Sequence, residues 1–320
     1  MLKKVLSFLG GVSLLCTSAT AATTITPVQP TLKNNCYEIS TAAELYGFAA
    51  IVNGDINFPY DATACGKLTK DIVVNQNVLK SDGSLNAADT ANFAKWTPIG
   101  PFYGTFDGQN HTVSGLYFSS ETGTDAGFFK SLHTAENQYV NTVVKNVGVV
   151  GSFFRAGYSA GGIAGSAYSR TSPVVIENCF NASRVEAVRN NAGGIVGTTS
   201  NYATVRIGLY NVYNTGTVVG PNNIGGVIGY QAANGIAIIN AYNAGEIIGT
   251  GNTNSIKSVF GGFTKDDANV IENVFYLEPG RNEHAGRSVT EAELKSGIIT
   301  QVMRHYDLDG INGTKWGQKF

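Results

Sequence analysis

Ala160-Gly161-Gly162-Ile163-Ala164-Gly165 returns as Ala192-Gly193-Gly194-Ile195-Val196-Gly197 and again as Ile224-Gly225-Gly226-Val227-Ile228-Gly229. Phe260-Gly261-Gly262-Phe263 reads as the start of a fourth copy. Between the copies stand Ile-Glu-Asn-Cys-Phe-Asn (176 to 181), Leu-Tyr-Asn-Val-Tyr-Asn (209 to 214), Ile-Ile-Asn-Ala-Tyr-Asn (238 to 243) and Ile-Glu-Asn-Val-Phe-Tyr (271 to 276). Gly162, Gly194 and Gly226 follow one another at intervals of 32 residues, and Gly262 comes 36 later. A fixed period of this size marks a solenoid or a similar repeat.

Each column of the repeat has its own chemistry. Two residues before Asn146, Asn178, Asn211, Asn240 and Asn273 stand Val144, Ile176, Leu209, Ile238 and Ile271; one before stand Lys145, Glu177, Tyr210, Ile239 and Glu272. That alternation is a half-buried strand. One residue after come Val147, Cys179, Val212, Ala241 and Val274, all small and apolar. Two inward columns three positions apart break the period of two, so the asparagine belongs at a bend, where it tolerates left-handed backbone. Stacked asparagines then form a structural ladder, amide to amide along the axis. The Gly-Gly pair is expected to turn the chain sharply into an apolar column of Ile163, Ile195, Val227 and Phe263. Val185, Val218 and Ile247 mark a third strand. About three short strands per repeat, with no helical period, predict an all-β fold: a right-handed parallel β-helix. A two-layer sandwich would show hairpin signals between neighbouring strands.

Phe180, Tyr213, Tyr242 and Phe275 form a further column. Stacking of these rings stabilises successive coils. If the column faces outward, Tyr213 and Tyr242 become ligand-binding contact points for sugar rings or a protein.

The Gly-Gly-x-x-Gly and Ile-x-Asn-Cys-Phe-Asn elements, with Gly-Thr-Val-x-Gly at 216 to 220, resemble the GLUG-motif repeats of bacterial secreted and surface proteins. Such repeats also occur in non-catalytic parts of immunoglobulin A peptidases. Trp-Thr-Pro-Ile-Gly (96 to 100) and Gly-Thr-Phe-Asp-Gly-Gln-Asn-His-Thr-Val-Ser-Gly-Leu (104 to 116) are similar to the segment that precedes the repeats in that family, so the resemblance covers most of the chain from about Cys36. It implies architecture rather than activity.

Met1 to Ala22 carry Lys3 and Lys4, an apolar run from Val5 to Leu15 and small residues at the end, the pattern of a secretory signal peptide. The run is too short to span a bilayer; Cys16 follows the large Leu15, which argues against lipidation. The expected location is secreted or at a bacterial cell surface, with no membrane span. Residues 23–35 read as a linker and 36–67 as an N-terminal helical cap. Thr41 with Glu44 opens that helix and Gly54 stops it, and Leu45, Phe48 and Val52 close the end of the solenoid. Residues 68–277 form the β-helix, with a polar loop from Lys80 to Lys95. Residues 278–320 form a C-terminal cap of short helices, with a capping box at Thr290 and Glu293. Cys36 and Cys65 flank the first helix in an exported chain and are expected to form a disulfide; Cys179 is a small core residue.

Net charge is −1, and charged residues make up 14%, well below the roughly 25% of soluble domains. There is no basic surplus for nucleic acid. His111, His133, His284 and His305 lie far apart without metal-ligand spacing. No nucleophile elbow or phosphate loop occurs, and no cofactor is expected. Asp307 to Gly313 hints at a calcium loop, but Gln318 stands where a bidentate glutamate belongs. Asn110, Asn181 and Asn312 open sequons without consequence for a bacterial exporter. The expected function is non-enzymatic adhesion or recognition of a surface glycan or extracellular protein; the alternative is a second one, that of a polysaccharide-acting lyase or glycosidase. The second needs carboxylates and bases on one face, as a cluster of Asp107, Asp125 and Lys145 would supply.

Overall fold

The computed structural model describes residues 23–305 apart from 124, 135–139, 202–205, 252, 265–267, 278 and 280–284. The signal-peptide reading of residues 1–22, the calcium reading of 307–313, His284, Asn312 and the side chain of His305 lie outside the described residues. The protein is a mostly β chain wound into a solenoid of about seven turns. One long sheet runs through Cys36–Ile39, Cys65–Leu68, Thr105–Ser114, Thr142–Ala156, Val174–Ala187, Ile207–Asn214, Ala237–Asn243, Val270–Leu277 and Arg287–Val289, each strand parallel to the next. A second sheet stacks Asp125–Ala126, Ser159–Gly161, Asn191–Gly193, Ile224–Gly225 and Ile256–Lys257. A third stacks Phe129–His133, Ala164–Ser169, Val196–Asn201, Ile228–Gln231 and Phe260–Phe263. Each strand pairs with its equivalent one turn away, which is why the sequence repeats by coil and lacks hairpin signals.

The asparagine bend is left-handed in every copy, with φ of 56° at Asn146, 52° at Asn178, 53° at Asn211, 60° at Asn240 and 51° at Asn273. This lets both flanking columns point inward: Val144, Ile176, Leu209 and Ile238 on one side, Cys179, Val212 and Ala241 on the other, none more than 1% exposed. Near the N-terminal coils the lumen is filled by rings instead. Phe106 packs edge-on against Phe128 and Phe129 with centroids 5.2 and 5.6 Å apart.

Two expectations are corrected by the register. Val227 lies beside Val259 and Ile228 beside Phe260, so the fourth copy begins at Ile256 and Lys257-Ser258 take the Gly-Gly position. The apolar column is therefore Ile163, Ile195, Val227 and Val259, and Phe263 lies outside it. Parallel pairing also starts at Cys36 rather than residue 68. Helix α1 (Ala42–Asn53) is an excursion within that first turn. Thr41 accepts from the Glu44 amide, Glu44 accepts in return from the Ser40 amide, and Gly54 at φ 76° ends the helix. Phe48 carries the inner face of α1 onto Phe102 and Phe106, at 6.2 and 5.7 Å.

The Cys36–Cys65 disulfide ties together the strands on either side of α1. Residues 23–35 are built in rather than free: Thr31–Lys33 pairs antiparallel with Cys36–Ile39, and Val28 lies so close to Gly47 that a Cβ there would meet its carbonyl at 1.9 Å. The polar insert also has a core of its own, in which Val78 and Phe93 pack on Phe153. At the other end α2 (Glu291–Lys295), opened by the Thr290–Glu293 capping box, and α3 (Ile298–His305) follow the last strand.

Candidate functional site: polar ladders and a corner cleft

The bend asparagines form one directional chain. Nδ2 of Asn273 donates to Oδ1 of Asn240 at 3.0 Å, Asn240 to Asn211 at 2.9 Å, Asn211 to Asn178 at 3.0 Å and Asn178 to Asn146 at 3.0 Å. Asn146 donates to Asp107 at 2.9 Å. Every amide points its donor toward the N-terminus, so the last acceptor needs no proton of its own, and a carboxylate meets that need. The amides are half-buried except Asn240, which is 2% exposed. Lys145 sits 3.8 Å from Asp107, whereas Asp125 belongs to the second sheet, so the proposed trio does not converge.

A second ladder, which the sequence reading missed, is buried more deeply. Asn181 donates to Asn214 and Asn214 to Asn243, both at 2.8 Å, and these side chains are 0, 0 and 3% exposed. Each also accepts from the amide two residues on, at Ser183, Gly216 and Gly245. Counting by twos from the inward Cys179 places position 181 in the lumen, a signal present in the sequence. This ladder accounts for the second glycine of each pair, while the first lies against backbone, a Cβ on Gly161 standing 2.0 Å from the Ala164 carbonyl; none of these glycines adopts positive φ, so they do not serve the expected sharp turn. A Cβ on Gly162, Gly194 or Gly226 would come within 2.3, 2.4 or 2.1 Å of Cγ of Asn181, Asn214 or Asn243. In the last copy Tyr276 takes the asparagine position and Ser258 the glycine position.

The aromatic column stacks face to face: Phe180 on Tyr213 at 4.8 Å, Tyr213 on Tyr242 at 4.9 Å. Phe180 covers Gly148 at one end, and the Arg287 guanidinium lies 5.4 Å from the Phe275 ring at the other. Leu294, Ile299 and Met303 of α2 and α3 pack over Tyr242 and Phe275, each of which is 5% exposed. The strip is therefore not the open contact face that Tyr213 and Tyr242 would need. Burial also raises the Tyr213 phenol above its ordinary value.

An open site lies where the long sheet turns into the second. Turns from successive coils bring Glu121, Tyr158 and Arg189 beside Asp125 at the start of its strand, with Tyr168 on the wall, around a cleft of about 380 Å³. Asp125 accepts from the Ser166 hydroxyl at 2.7 Å, and burial pushes its carboxyl above the ordinary value. Glu121 is held by Arg155 at 3.2 Å, itself 2.8 Å from Glu186. Tyr158 is 54% exposed. Tyr168 continues into a row with His133 and Tyr103, at centroid distances of 4.8 and 5.7 Å. Sequence reading named Asp125 but not the site, because Glu121, Tyr158 and Arg189 lie on turns outside the repeated phrase. Elsewhere His111 pairs with Asp71 at 3.3 Å. Among the described residues no three His, Cys, Asp or Glu side chains are grouped to hold a metal, and no helix is long and apolar enough to cross a membrane.

No protein-family model and no curated protein sequence matches the chain. A crystal structure from Bacteroides ovatus, described as a putative immunoglobulin A1 protease, shares the fold with a TM-score of 0.50 and 16% identity. The match covers 83% of this chain and 87% of that one. At this identity the similarity is one of β-solenoid architecture.

Proposed function

We propose that the chain is an exported solenoid that recognises an extracellular partner, a glycan or a protein, and binds it without turning it over. The corner cleft carries this reading: a half-exposed ring, two carboxylates and a guanidinium are held around one depression by a stack whose backbone is bonded above and below. A site fixed before binding loses little freedom on engagement. The Cys36–Cys65 bridge fits an oxidising compartment, and we read Met1 to Ala22 as the leader that delivers the chain there. In the same reading the coil is right-handed, its repeats are GLUG-like, and α1 and the α2–α3 pair close its two ends. Labelled secreted protein incubated with bacterial cells, epithelial cells and mucin should attach saturably to at least one; attachment to none would remove recognition as its function.

One observation favours a second reading, a polysaccharide-acting enzyme. Glu121 and Asp125 line one cleft, and Asp125 is shifted upward as a general acid must be. Sustained release of reducing ends from a polysaccharide, lost in Asp125→Asn, would replace binding by turnover.

A further inference from the structure

From the cleft at the corner of the first repeats we infer that the ligand is the end of a neutral, hexose-based oligosaccharide. The inference rests on the recognition reading above and names the chemistry of the same site. Its volume, about 380 Å³, falls within the range of small-molecule pockets, about 300–1,000 Å³.

The charges in and around the cleft are mixed, with no large surplus of either sign. Glu121 is spent on Arg155, which bridges it to Glu186, and Glu186 is in turn held by Arg184 at 2.6 Å. This leaves Asp125, which also feels Lys130, and Arg189 on the lining, so the cleft presents both signs and neither a polyanion nor a polycation meets a surface of uniformly opposite charge. What remains is the acceptor capacity of Asp125 that Ser166 and Ser159 leave over and the donor fork of Arg189, the complement of hydroxyls on adjacent ring carbons, which both donate and accept. Tyr158 supplies the other half of the match. Its ring is 54% exposed at the rim, and an exposed aromatic face suits the C–H face of a pyranose, apolar on one side and hydroxylated at the edge.

The cleft shape depends on Gly157. A Cβ there would stand 2.5 Å from the Gly123 carbonyl and 2.6 Å from that of Glu121, so glycine lets the turn at 121–123 close one wall. Beyond Tyr168 the row through His133 to Tyr103 runs along the third sheet. A chain of sugars leaving the cleft in that direction meets further rings, and longer oligosaccharides gain from contacts made in sequence.

Cellohexaose, mannohexaose and maltohexaose, with hexameric oligogalacturonate as the acidic comparison, are the probes for titration calorimetry on the disulfide-intact protein. At least one neutral hexose hexamer should bind, more tightly than its own disaccharide. Tyr158→Ala and Arg189→Ala should each weaken it about tenfold, with Tyr158→Phe retaining it. Both positions are exposed, and an unchanged thermal midpoint verifies that the variants fold. Binding of oligogalacturonate alone, or binding unaffected by both variants, overturns the inference while leaving the recognition reading in place. If no hexamer binds but the protein still attaches to cells, the inference fails and a protein partner takes its place; if it attaches to no surface either, both fail.

Discussion

Asn211 and Asn214 stand three residues apart in one coil and face different demands. Asn214 is fully buried, donates to Asn243 and the Gly216 carbonyl, and accepts from the Gly216 amide. Asn214→Ala strands these groups in the lumen and is expected to cost roughly 2–3 kcal/mol by denaturant unfolding. Asn211 is half-buried, and its backbone at φ 53° is as much its purpose as its amide. Asn211→Ala should cost about 1–2 kcal/mol, and Asn211→Gly, which keeps the left-handed backbone without strain, distinctly less. Gly194→Ala should be at least as damaging as Asn214→Ala, since the new methyl has nowhere to go. The double variant should recover little of the two single losses, because the Gly226 carbonyl, 2.1 Å from the added Cβ, and the Cβ that alanine keeps at position 214, 2.7 Å away, still occupy the space the methyl needs. The bend was readable because two inward columns three apart admit no other geometry. The role of the glycines was not, since glycine for backbone freedom and glycine for lack of room look alike in a sequence.

Among the elements, α1 and its disulfide make the most exposed wager on the solenoid's first turn. Replacing Cys36 and Cys65 by serine opens a loop of sequence separation 29 and should lower stability by about 3–4 kcal/mol on the loop-entropy rule. Alkylation without reductant should leave Cys179 untouched until the protein unfolds, because burial pushes its thiol up to about 12. At the far end, Ile299→Asp should lift α3 from the aromatic stack. Acrylamide should then quench tyrosine emission more strongly than in the parent; unchanged quenching would mean that α3 does not seal the stack. Helices α1 and α2 were legible from capping residues at Thr41 and Thr290. What α3 covers was not, because its partner is chosen by how the chain returns, which no local pattern encodes. The corner cleft was invisible for a related reason: Glu121, Tyr158 and Arg189 obey no period and meet only once the coils are in register.

For the molecule as a whole, burial raises the phenols of Tyr46, Tyr210 and Tyr213 above their ordinary 10.0. A phenol that ionises later when folded holds its proton more tightly in the native state. Its contribution is therefore complete below the unfolded value and declines as pH rises beyond it. Unfolding free energy should begin to fall near pH 9, where the unfolded Cys179 thiol ionises, and fall more steeply beyond about pH 10 as the phenols follow; a curve with no added slope beyond about pH 10, with the three phenols ionised, would contradict their burial. The asparagine rungs have a different consequence, for the length of the protein. Each interior rung offers an acceptor on one side and a donor on the other, so an extra rung creates no unmet group, whereas Asp107 is a terminus that accepts and offers nothing onward. A second copy of residues 195–226 spliced in after Gly226 would repeat Asn211, Tyr213, Asn214 and the glycine pair in phase with their neighbours. The chain can thus be lengthened from within by whole turns while both ends stay as they are, so that turn number, and with it the length of the solenoid, is free to change without any change to the residues at either end.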